Sequence, residues 1–259
     1  MPGNAILIML GQTVPGWMSF PRTTDVSLSG FAAPSGSIWR KGGLDITIRR
    51  RGNSASVQET QPARLPSWCP ELHLNSDRTF CQGLEQLAIR TVNDAHQWWA
   101  DLEIHLRLLS VALKTGVWPQ HSALDHGRAG ALQREARRLA RELNLVEEYA
   151  RAHAGMNSWI ADPEFTLISA DGAFGLSSWK CVCGCNRSIR RCNNRQKIKL
   201  LVLTERSRRL ELARFWNGIE GRECCRKIRN CPLATGEKVT YDPQLLAKTY
   251  RALGQSPSF

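Results

Sequence analysis

Nine cysteines in a chain of 259 residues are the side chains most able to do chemistry. Cys69 and Cys81 flank a turn, while Cys181, Cys183, Cys185, Cys192, Cys224, Cys225 and Cys231 crowd the back half. A free cysteine is more often an inert, buried hydrophobe than a nucleophile. The setting of Cys81 raises it above that expectation. Asn75-Ser76-Asp77-Arg78 is a turn signal, because Asn, Ser and Asp bond their own backbone, and Asn and Asp tolerate positive φ. Thr79-Phe80-Cys81-Gln82-Gly83 follows without helical period, which places the sulfur on irregular backbone near the surface. Only a few per cent of an ordinary thiol, pKa about 8.5, is ionised at pH 7, so a nucleophilic cysteine needs help from its surroundings. His73 and Arg78 would favour the thiolate, and Glu71 and Asp77 would oppose it.

The second group has metal-ligand spacing. In Lys180-CVCGCNRSIRRC-Asn193, Cys181 and Cys183 form a Cys-x-Cys turn, Gly184 relieves the tight backbone, and Cys192 returns one turn later. These supply three sulfurs to a tetrahedral ion. The fourth is Cys185 or one of Cys224, Cys225 and Cys231. The distant set, represented by Cys225, is preferred, since three ligands already strain one short loop and a distant one would close a helix at about 195–217 onto the knuckle. Thiolates alone suit structural zinc, with no histidine or carboxylate positioned to leave an open catalytic site. Seven clustered cysteines without an export signal read as metal ligands in a reducing compartment, the cytoplasm.

Around these groups, residues 1–64 are rich in Gly, Pro and Ser, with β-like pieces at Ile6–Leu10, Asp25–Leu28 and Leu44–Ile48. The last alternates with period two. This front is expected to be an antiparallel meander, with residues 52–62 as a loop. From Thr91 the period becomes helical: Trp98, Leu102, His105/Leu106, Leu109 and Leu113 mark one stripe, with a cap at Thr91 or Asn93 and a stop at Gly116. Trp98 and Trp99 belong to the core. A further helix is predicted over about 128–154. The Asp162-Pro163 and Asp171-Gly172 pairs mark a linker, giving a first domain at 1–155, a linker at 156–179 and a cysteine-rich, mainly helical region at 180–259.

The formal charge is +12, and almost all of it lies between Lys180 and Arg229, where 15 Lys/Arg face 4 Glu, 15 − 4 = +11. Such a block suits an acidic protein surface or a phosphate backbone, and Phe215 and Trp216 interleave it, so a zinc-stabilised nucleic-acid-binding or adaptor module without catalysis is the alternative to an enzyme. No GxxxxGK loop is present to cradle ATP. The apolar run 5–10 is too short to span a bilayer, and no basic stretch precedes it.

Cys69-Pro70-Glu71-Leu72-His73, Asn75, Asp77 and Thr79-Phe80-Cys81-Gln82-Gly83-Leu84 resemble the active-site segment of the ubiquitin-conjugating fold. They are most similar to the prokaryotic group of type II (short) CBASS antiphage operons. The CxCGC…Cys…CysCys…CysProLeu pattern of the back half accompanies that segment in the group, so the resemblance covers about 64–233. Thr115-Gly-Val-Trp118 and His126-Gly127 add a weaker likeness. The knuckle is also similar to the short SEC-C zinc motif, with Asn193 where that motif has its fourth ligand. The resemblance implies an α+β fold, an antiparallel meander with helices packed on it and a helical zinc-binding region behind. It implies that Cys81 holds the C-terminal carboxyl of a cGAS-like nucleotidyltransferase as a thioester. His73 stands in for the family's oxyanion-stabilising asparagine, with His126 as a second helper. Two positions depart from the pattern: Arg78 replaces a turn glycine, and the histidine replaces that asparagine.

Overall fold

The computed structural model describes residues 5–40, 42–61, 64–81, 87–119, 124–161, 180–229 and 231–235. The chain divides into two compact units, and the division is not colinear. One comprises the described residues up to Pro119 together with residues 223–235; the other comprises Leu124–Arg222. The boundary expected at 155–180 therefore lies earlier, between Ala123 and Leu124, and the segment 162–179 that suggested it is outside the described residues. The helical stretch 128–154 belongs with the cysteine knuckle, and Glu223–Thr235 returns to the first unit.

In the first unit, α1 (Ala5–Gln12) precedes four strands, β1 (Met18–Thr23), β2 (Ser27–Ala32), β3 (Leu44–Arg51) and β4 (Ser54–Glu59). They form one antiparallel sheet in the order β1-β2-β3-β4. The expected meander is present, with two corrections. Ile6–Leu10 is helical: Ile6, Leu7 and Leu10 are buried and Ile8 is exposed, a one-sided stripe with a helical step. The loop expected over 52–62 contains β4, whose Ser54, Ala55 and Val57 are buried against the core. β3 alternates as its sequence indicates, with Leu44, Ile46 and Ile48 fully buried. Gly30 lets β1 cross β2 closely, since a Cβ there would collide with the Ser19 carbonyl oxygen next to the register shift between Ser19 and Arg22.

The long helix α2 (Val92–Thr115) carries the other half of this core. Thr91 caps it with a capping box: its hydroxyl accepts from Asp94 N at 3.2 Å, and the Asp94 carboxylate accepts from Thr91 N at 2.8 Å. Gly116, at φ 74, ends it. Trp98, Trp99, Leu102, Leu106 and Leu109 are buried, and Trp99 Nε1 donates to the Leu10 carbonyl at 3.2 Å, tying α1 to α2.

In the second unit, the expected 128–154 helix is two helices, α3 (Arg128–Glu142) and α4 (Val146–His153). Asn144, at φ 57, turns the chain between them. Helix α5 (Arg195–Gly218) packs on α3, and its span agrees with the sequence expectation. The last described element is the short α6 (Pro232–Thr235), in the returning segment of the first unit. Among the described residues no helix is long and apolar enough to cross a membrane.

Candidate active site and metal centre

The loop bearing Cys81 is built by a small set of backbone bonds. Asn75 N donates to the Thr79 carbonyl at 2.9 Å and Arg78 N to the Asn75 carbonyl at 2.9 Å, which closes the predicted turn. Asp77 Oδ1 accepts from Thr79 N at 3.1 Å and from the Thr79 hydroxyl at 2.6 Å; the hydroxyl, foremost, holds the Asp77 carboxyl below its ordinary value. The residue that bends left-handed here is Arg78, at φ 67, where the resembling family has glycine. The strand side then returns: Phe80 N donates to the Val57 carbonyl of β4 at 2.8 Å, and Cys81 N donates to the His73 carbonyl at 2.7 Å. Cys81 thus sits one residue past a sheet-anchored phenylalanine, partly exposed, on irregular backbone. Residues 82–86, which follow it, are outside the described set.

His73 lies at the base of the same loop. It ends the 3-10 turn Pro70–Leu72 in a left-handed conformation, φ 52, and donates its N–H to the Pro70 carbonyl at 2.6 Å. Its ring is buried, 4.5 Å from Trp118 and 6.5 Å from His105 between centroids. His105 in turn stacks on Phe80 at 5.4 Å. His73 therefore meets Cys81 through its backbone carbonyl, and its ring is part of an aromatic floor. Sequence reasoning missed His105 and Trp118 as members of this floor, although His105 falls on the buried stripe of α2.

His126 belongs to the second unit, where it stacks on Phe215 at 4.7 Å and meets Trp216 edge-on at 5.4 Å. Burial pushes its pKa down to about 4. Phe215 and Trp216 are occupied in this packing, and Trp216 is buried, so they do not form an open stacking platform. The basic helix α5 is likewise partly neutralised from within. Arg208 forks onto the fully buried Glu205 with bonds of 2.6 and 2.7 Å and reaches Asp125, while Arg209 holds Glu205 at 2.9 Å. Burial alone would raise the Glu205 carboxyl; Arg208 and then Arg209 keep it below the usual range.

The metal-ligand set is also corrected. Cys181, Cys183, Cys185 and Cys192 place their sulfurs within 4.8 Å of one another, so the fourth sulfur of this group is Cys185 and not Cys225. One loop supplies four ligands because two left-handed residues, Gly184 at φ 76 and Asn186 at φ 54, fold it back after Cys183 and Cys185. Backbone N–H groups aim at the sulfurs, Asn194 N to Cys192 Sγ at 3.3 Å among them. The Cys183 thiol falls to about 7: burial raises it, and donation from Cys181 and Cys192 lowers it by more. Four convergent sulfurs with no histidine or carboxylate among them fit a tetrahedral, thiophilic ion in a structural role. Cys225 is elsewhere, in the first unit, with its sulfur 2.8 Å from that of Cys69.

Residues 17–120 match the family model of the prokaryotic E2 domain, and residues 125–233 match that of the cysteine-rich domain C-terminal to the E2 domain. The gap between the matches coincides with the boundary between Ala123 and Leu124. No curated protein and no solved structure matches the chain.

Proposed function

Because the chain belongs to the prokaryotic E2-like proteins that carry a cysteine-rich C-terminal domain, we propose that it is an acyl transferase working through a thioester on Cys81. The observation that carries this reading is the presentation of Cys81: partly exposed, just beyond a closed turn, with its N–H fixed on the His73 carbonyl. The carboxyl of the client arrives in activated form, as an adenylate or as a thioester on another protein. The Cys81 sulfur attacks its carbonyl carbon, a C–S bond forms, and the activating group leaves. An amine then attacks the same carbon, the C–N bond forms as the C–S bond breaks, the Cys81 thiolate leaves, and the amine's surplus proton passes to that sulfur or to water. His73 acts as a positioning residue through its backbone; it stands where the resembling family keeps its oxyanion donor.

The sequence resemblance supplies the client, the C terminus of a cGAS-like nucleotidyltransferase, and the setting, a cytoplasmic antiphage operon. The four-cysteine group of the second unit would hold zinc in a structural role, fixing the loop against α5. The exposed Lys180, Arg187 and Arg191 near that knuckle are available to an acidic protein or nucleic acid, but the pairing of Arg208 and Arg209 with Glu205 does not favour a nucleic-acid module as the main role.

Coexpression with such a nucleotidyltransferase tests the reading. Wild type should carry an adduct cleaved by reductant, Cys81→Ser a reductant-stable ester, and Cys81→Ala none. An adduct persisting in Cys81→Ala would move the chemistry off Cys81.

A further inference from the structure

We propose that Cys69, Cys224, Cys225 and Cys231 form a second tetrathiolate metal site, distinct from the knuckle group, which takes a zinc-type divalent ion and clamps residues 223–235 onto the unit that presents Cys81. The four cysteines come from three places in the chain into one core. Cys69 Sγ is 2.8 Å from Cys225 Sγ; Cys224 is hydrogen-bonded to both Cys225 and Cys231; and Cys69 and Cys231, both buried, share one core with the partly buried Cys224 and Cys225.

A disulfide does not account for this arrangement. Its sulfurs stand about 2.05 Å apart, it uses two cysteines, and here four come together. The Cys69–Cys225 contact is instead of the kind found in the knuckle group, where Cys181 and Cys183 lie 3.1 Å apart and Cys183 and Cys192 3.4 Å apart. The backbone repeats it too. Three of the four sulfurs are approached by a main-chain N–H from two or three residues downstream: Arg226 onto Cys224 at 3.3 Å, Lys227 and Ile228 onto Cys225, and Leu233 onto Cys231. Such N–H groups stabilise sulfur in its anionic form, the form that binds metal. Arg226, immediately after Cys225, is left-handed at φ 56, as Gly184 and Asn186 are after Cys183 and Cys185. Four thiolates with no histidine in the group suit zinc or another thiophilic ion.

The site also answers a question of architecture. Residues 223–235 return to the first unit with little regular structure of their own, held by Arg229 N on the Gly116 carbonyl at 2.7 Å and by the buried Ile228 and Cys231. A metal joining Cys224, Cys225 and Cys231 to Cys69 would cross-link that segment to the base of the catalytic loop. Cys69 pairs both its N–H and its carbonyl with Leu74, and His73, next to Leu74, receives Cys81 N–H. The proposal does not depend on the acyl-transfer reading.

The full-length protein tests it directly. Elemental analysis and native mass spectrometry of the wild type should give two ions per chain. Cys224→Ser/Cys225→Ser should retain one, and Cys181→Ser/Cys183→Ser should retain the other. Should either double variant fail to fold, alkylation of the wild type decides: Cys69, Cys224, Cys225 and Cys231 should resist modification until a strong chelator is added, and then react together. One ion in the wild type, two in Cys224→Ser/Cys225→Ser, or a Cys69–Cys225 crosslink that survives chelation and yields only to reductant would each overturn it.

Discussion

Replacing His105 by phenylalanine should remove a defined part of the protein's sensitivity to acid. His105 is fully enclosed between Phe80, His73 and Trp118, and its Nε2 has no hydrogen-bond partner. Burial, and then the neighbouring His73, push its pKa down to about 3. An unfolded histidine titrates near 6.5. Above pH 6.5 neither state binds the proton, and His105 leaves stability independent of pH. Below it, the unfolded chain gains a proton that the folded chain refuses, so folding loses about 1.4 kcal/mol per pH unit. Between pH 6.5 and 5 this amounts to about 2 kcal/mol, a large share of the 5–15 kcal/mol that holds a typical domain together. Urea unfolding followed by tryptophan fluorescence at several pH values would measure it in wild type and His105→Phe. The stability difference between them should shift in favour of the variant by about 2 kcal/mol on going from pH 7 to 5. Parallel profiles would show that His105 is protonated in the fold or reached by water, and would refute the reasoning.

Arg78 occupies a left-handed position at φ 67. Arg78→Gly should fold at least as stably as wild type in thermal unfolding, whereas Arg78→Val should lose about 1–2 kcal/mol. Gly30→Ala should cost about 3 kcal/mol in the same assay, because a Cβ there collides with backbone of β1 and not with a movable side chain. Glu205→Gln removes a fully buried carboxylate from Arg208 and should destabilise the second unit by about 3–5 kcal/mol, visible as faster amide exchange in α5.

Much of the fold could be read from periodicity. α2 announces itself through the Thr91 cap, its apolar stripe and Gly116, and β3 through clean alternation, so local chemistry and burial agree in both. Ile6–Leu10 misleads because a short apolar run satisfies strand and helix alike. β4 escapes because Ser54, Ala55, Ser56 and Gln58 carry little β propensity, and the strand is specified by the neighbour it pairs with. The break at Asn144 is hidden because Leu139, Leu143, Val146 and Ala150 keep helical spacing in the sequence, although Val146 is exposed and Leu145 and Tyr149 take the core.

At the site, turn chemistry located Cys81, but the ring of His73 obeys packing partners that lie on α2 and at Trp118, far away in sequence. The metal loop shows the limit of spacing arguments. By spacing, four ligands are too many for one loop, yet the left-handed conformations of Gly184 and Asn186 let it supply all four. The internal pairing of the basic block is hidden for a similar reason, since Arg208 finds Asp125 83 residues away.

The most direct test of the central proposal is peptide mapping of the protein isolated under non-reducing conditions from cells that also express its nucleotidyltransferase client. Trypsin should release residues 79–90 as one peptide containing Cys81 as its single cysteine. The expected result is that this peptide carries the client's C-terminal residues, attached through a bond cleaved by hydroxylamine. The same adduct found on the peptides of Cys69 or Cys225, with residues 79–90 unmodified, would contradict the account.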